Sequence, residues 1–139
     1  MLAALPLLAL PVLLYNLLML TISGGFAGDA GKRLLTPLIN LKMASHAVWS
    51  ISLGDILIAG SLLILFAELL KSAGTRRIAI LNHSLSMILF IICLIEFLLF
   101  PAFATSIFFL IGLMVLLDVL AGFVVTIIAS RREVEFHAD

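Results

Sequence analysis

The sequence predicts an all-α membrane protein: four transmembrane helices in an antiparallel bundle, with a short β-hairpin in the loop between helices 1 and 2. Three observations carry this. Of 139 residues, 64% are hydrophobic and 12% charged, where soluble domains have roughly half and about a quarter. Mean hydropathy is +1.34. The apolar residues come in blocks near the length, about 20 helical residues, that crosses a hydrocarbon core about 30 Å thick. Residues 1–139 therefore read as one integral membrane domain, with membrane lipid as its principal surroundings.

The first span is expected over 2–22. It lacks the basic start of a secretory signal, so it reads as a retained helix. Pro6 and Pro11 lie in its first turns, where Pro11 is expected to bend it. The extramembrane segment 23–54 opens on a glycine-rich run. From Ile39 the pattern changes, with Ile39, Leu41, Met43, Ala47, Trp49, Ile51 and Leu53 alternating with Asn40, Lys42, His46, Ser50 and Ser52. Alternation of that kind is the period of a strand with one apolar face. It predicts strands over 38–43 and 48–53, reversing at 44–47 and lying on the membrane surface with Trp49 as an interface anchor. A surface helix over 32–43 broken at Pro37 is the alternative.

The second span is expected over 55–71 with Asp55 as its N-cap, the third over 78–100, and the fourth over 106–129, followed by a tail at 130–139. Lys71, Arg76, Arg77, Arg131 and Arg132 share one side, against Lys32, Arg33 and Lys42 on the other. The positive-inside rule places both termini in the cytoplasm and the hairpin outside.

Ionisable groups within a span are costly unless they pair, face the bundle or meet water, so each is a functional candidate. Asp118 lies about 18 Å into the fourth span, near mid-membrane. Gly122 and Thr126 continue its stripe. In the third span Asn82, Ser86, Leu89, Cys93 and Glu96 share one face, which must point inward. Depth suggests two polar layers, Asp55 with Glu96 at the outer side and Glu68 with His83 and Asn82 at the inner. Asn16, in the first span, needs a partner of its own. Asp118, Glu96 and Asn16 are the candidate ion-path residues; Asp55, Glu68, His83 and Asn82 are candidates for structural hydrogen bonding between helices.

No catalytic residue is predicted, because the chain holds no Gly-x-Ser-x-Gly, no His-Glu-x-x-His and no phosphate loop after a strand. No metal or cofactor is expected either. The single Cys93 excludes an intrachain disulfide, and His46 and His83 fall on opposite sides, which excludes both as axial ligands of one haem. Zero net charge and the lack of a basic cluster argue against nucleic acid.

The run Leu85-Ser-Met-Ile-Leu-Phe-Ile-Ile-Cys-Leu-Ile-Glu-Phe-Leu-Leu, with Ala104-Thr-Ser-Ile-Phe-Phe-Leu, Asp118-Val-Leu-Ala-Gly-Phe and Ala47-Val-Trp-Ser-Ile-Ser-Leu-Gly-Asp55, resembles small four-helix bacterial inner-membrane proteins of unassigned function. The resemblance implies a bacterial inner-membrane location and no particular chemistry. The expected function is non-enzymatic, through self-association or as an accessory subunit among other membrane proteins; the alternative is a small oligomeric ion or proton channel or transporter using Asp118.

Overall fold

The computed structural model describes residues 5–22, 30–72 and 76–136. Its elements are α1 (Ala9–Ile22), α2 (Ala30–Leu34), β1 (Pro37–Lys42), β2 (Val48–Ser52), α3 (Leu53–Ser72), α4 (Arg76–Leu99), a 3₁₀ turn (Pro101–Phe103) and α5 (Ser106–Phe136). Three helices, α3, α4 and α5, are long and apolar enough to cross a membrane, over Leu53–Lys71, Leu81–Leu99 and Ser106–Val124. The helix at the expected first span, α1, is shorter.

Helix α1 has 14 residues and is about 21 Å long at 1.5 Å per residue, short of the hydrocarbon thickness. Pro6 is the reason. Residues 5–8 form turns instead of helix, with Ala9 N donating to Pro6 O (3.1 Å) and Leu10 N to Leu7 O (3.0 Å). Pro11 then falls within the first helical turn, where a missing N–H removes no intrahelical bond. The bend expected there is replaced by a later start.

The hairpin forms over the predicted segments. Its strands pair antiparallel, Ile39 with Ile51 and Leu41 with Trp49 on one face, Asn40 with Ser50 and Lys42 with Val48 on the other. Apart from Val48, which lies opposite Lys42, the alternation sorts apolar from polar residues as a pleated sheet requires. At the reversal, His46 N donates to Met43 O and Met43 N to Ala47 O, both at 2.9 Å. His46 adopts the left-handed conformation, φ 65°, which closes the three-residue loop. α2 ends before Pro37, so the alternative of a helix continuing to 43 is excluded.

Strand β2 runs directly into α3, and the junction corrects the expected cap. Ser52 is the N-cap and Asp55 sits at the third helical position. The Asp55 carboxylate accepts from Ser52 N (2.8 Å) and Ser52 Oγ (2.6 Å), while Ser52 Oγ accepts from Asp55 N (3.2 Å). This reciprocal arrangement satisfies donors that a helix start leaves open. At Gly54 the backbone passes close to α5: a Cβ there would lie 3.1 Å from Ile107 Cγ1 and 3.3 Å from Leu34 O, with Ile107 Cδ1 nearer still.

Helix α5 is the centre of the bundle. Of its span 44% is buried, against 28% for α3 and 17% for α4. Ile107, Phe108, Ile111, Met114 and Val115 form its inward stripe, meeting Leu8, Val12, Tyr15 and Met19 of the amino-terminal segment, Leu57 and Leu65 of α3, and Cys93 of α4. The spacing of three and four residues along each helix is that of a packed face. Outward faces are apolar as well: Leu63, Leu98, Leu99 and Leu117 are exposed, an arrangement suited to lipid and costly in water. The fourth helix also continues past the predicted end at 129, to Phe136. Arg131, Arg132 and Glu133 end an apolar span, yet Arg and Glu are good helix formers, so the helix need not end where the span does.

Candidate functional site

Four of the six buried polar residues among the described ones lie towards the end where α3 finishes, the others being Ser52 at its start and Ser61 in its middle. Glu68, Asn82, Ser86 and Asp118 are all nearly inaccessible, at 0%, 3%, 0% and 3% exposure. Their placement follows from helix periodicity. Asn82 and Ser86 are one turn apart on the inward face of α4, Glu68 is at the inner face of α3, and Asp118 continues the buried stripe of α5 one turn beyond Met114.

Glu68 is held by donors on both oxygens. Oε2 accepts from Leu7 N (2.6 Å), and Oε1 accepts from Asn82 Nδ2 (2.5 Å) and Lys71 Nζ (3.2 Å). Lys71 also donates to Asn82 Oδ1 (3.1 Å) and Leu5 O (2.5 Å). An ammonium group has three donors, and all three are used. The result is a closed ring of Glu68, Asn82 and Lys71. It also satisfies backbone groups of residues 5–7 that α1 leaves outside its own ladder. The ion pair is asymmetric, with the Lys71 side chain 22% exposed and Glu68 fully buried, so Lys71 is the member that reaches the surface.

One turn deeper on α4, Ser86 Oγ donates to Asp118 Oδ2 at 2.6 Å. Ser86 is the one hydrogen-bond partner of that carboxyl among the described residues. Glu68, His83 and Lys71 are the ionisable side chains around it. Asp118 and Ser86 therefore form a separate pair beside the Lys71 ring, with no hydrogen bond joining the two groups among the described residues.

His83, expected in the inner layer with Glu68, makes no hydrogen bond to it among the described residues. It points to α5, where its ring meets Phe123 edge-on at 4.6 Å and covers Gly122. A Cβ on Gly122 would lie 2.9 Å from His83 Cγ and closer to Nδ1, so only glycine admits the imidazole here. Nδ1 is buried and has no hydrogen-bond partner. Gly122 thus continues the Asp118 stripe as a helix contact, while the Thr126 side chain lies outside the described residues.

Asp55 and Glu96, expected in one outer layer by depth, take separate partners. Asp55 is exposed and committed to the α3 cap, whereas Glu96 Oε2 accepts from Asn16 Nδ2 at 3.3 Å, the same amide donating to Val12 O at 3.1 Å. A second polar contact was not anticipated. Tyr15 OH donates to Ala102 O (3.1 Å) and shares a 2.6 Å hydrogen bond with Thr105 Oγ1, which caps α5 by accepting from Phe108 N (3.2 Å). The single tyrosine of the chain, set in an apolar helix, was the signal for it, since a buried phenol needs a partner. Lys71 was likewise read only as a loop charge, although Glu68 and Lys71 at i,i+3 share a helix face.

Among the described residues no group of three His, Cys, Asp or Glu side chains is placed to hold a metal ion. Comparison with protein-family models, curated proteins and solved structures found no match.

Proposed function

We propose that the chain is a non-enzymatic integral protein of a bacterial inner membrane that works by association, with copies of itself or as an accessory subunit of a membrane complex, and that the hairpin is its docking element. The observation that carries this reading is the hairpin's isolation. From Pro37 to Ser50 every residue is exposed, including Ile39, Leu41 and Trp49 on the apolar face. A two-stranded sheet is marginal alone, and an open edge invites a further strand. β1 carries Pro37 and Lys42, which discourage pairing; β2, Val48–Ser52, carries neither proline nor charge and is the edge left open.

The two sides of the membrane are assigned by the basic residues, with the Lys71 end cytoplasmic and the hairpin outside. Attachment of residues 5–7 to Glu68 and Lys71 supports an amino terminus on the Lys71 side. A pore through Asp118 within a single copy finds less support, because Val115, Met114, Ile111, Leu65 and Cys93 form an apolar layer between Asp118 and the hairpin end.

The test is to replace residues 38–51 with a short Gly/Ser linker, keeping Ser52 and the α3 cap. The variant should still insert, while the mass of the particle extracted into nanodiscs falls to that of one chain. An unchanged assembly mass would overturn the reading.

A further inference from the structure

The two buried carboxyl groups near the Lys71 end differ in what surrounds them. Glu68 accepts from an ammonium, an amide and a backbone N–H. Asp118 has one hydrogen-bond partner among the described residues, the Ser86 hydroxyl. A serine hydroxyl donates or accepts equally well, so Ser86 can serve Asp118 in either protonation state. With the carboxylate, Ser86 donates. With the acid, the Asp118 O–H donates to Ser86 Oγ, and the serine proton turns to the carbonyl of Asn82 one turn earlier in α4, a common habit of helical serine.

We infer that Asp118 is a reversible proton-binding site, open to the Lys71 end of the bundle and closed to the hairpin end. This goes beyond the association reading and rests only on the bundle being in a membrane. The groups facing Asp118 are Glu68 and Lys71 from α3 and His83 with Ser86 from α4; among the described residues α1 presents no ionisable side chain near it. Lys71, partly exposed, connects the surface to Glu68 and Asn82, and Ser86 stands one turn from Asn82. In the other direction lies the apolar layer of Val115, Met114, Ile111 and Cys93. A proton taken up there has one way back.

The experiment is infrared difference spectroscopy of the full chain in nanodiscs as pH is stepped, following the C=O stretch of protonated carboxyl groups. A band should grow as pH falls, vanish in Asp118→Asn and persist in Glu68→Gln. Ser86→Ala, which keeps the buried carboxyl, should shift the band to higher wavenumber by removing its hydrogen-bond partner, and decides the matter if Asp118→Asn does not fold. Proteoliposomes of the wild-type chain should hold a pH gradient as long as protein-free vesicles do. A pH-independent band, a band unmoved by both Asp118→Asn and Ser86→Ala, or a proton leak above that of the lipid would overturn the inference.

Discussion

Replacing Glu68 with leucine should destabilise the bundle by about 3 kcal/mol, the low end of the range for removing one partner of a buried ion pair. The low end applies because Lys71 is partly exposed and can turn to water. What is lost is specific: Asn82 Nδ2 and Leu7 N lose their acceptor, and each unsatisfied buried donor carries a desolvation cost of roughly 1–3 kcal/mol. In the proposed membrane setting no water restores those bonds. Reversible unfolding in mixed micelles measures the effect. Lys71→Met should cost markedly less in the Glu68→Leu background than in the wild type, because the ring is already broken; additive costs would mean that the two residues act independently.

The second large effect is expected at Phe103. Its ring is fully buried and stands 5.4 Å from Tyr15, 4.8 Å from Phe108 and 6.1 Å from Phe100, joining the start of α5 to α1. Phe→Ala in a core commonly costs about 3–5 kcal/mol. Part of that figure is transfer from water, which lipid does not supply, so the cavity and lost contacts should leave about 2–3 kcal/mol. Phe109→Ala offers the comparison: that ring is 52% exposed and its loss should be nearly silent in the same unfolding assay. Equal losses at the two positions would contradict the placement of the core.

Local patterns were legible in the chain, and the rotation of one helix against another was not. The hairpin could be read because alternation and reversal are short-range properties, and its strands pair with neighbours in sequence. The inward stripe of Asn82, Ser86 and Cys93 could be read from helical spacing alone. Spacing does not say which residue on the facing helix a side chain meets, and adjacent Asn82 and His83 show the consequence. Glu68 meets Asn82, while His83 turns to the gap that Gly122 leaves on α5. The Ser52-x-x-Asp55 cap was visible as a pattern but obscured by Gly54, which made Asp55 look like the first residue of the helix. Its glycine is explained by the close approach of Ile107, a tertiary fact. The shortened α1 and extended α5 have a common origin: a helix end and a span end answer to different physics, backbone hydrogen bonding for one and side-chain transfer for the other.

In the proposed arrangement α3, α4 and α5 cross a membrane, leaving the hairpin and the Lys71 network at opposite faces. Single cysteines at Ser45 and Ser72, introduced separately into a Cys93→Ser background, test it with a membrane-impermeant maleimide on intact and permeabilised cells. Ser45→Cys should be labelled in intact cells and Ser72→Cys only after permeabilisation; labelling of both positions from the same side would contradict it.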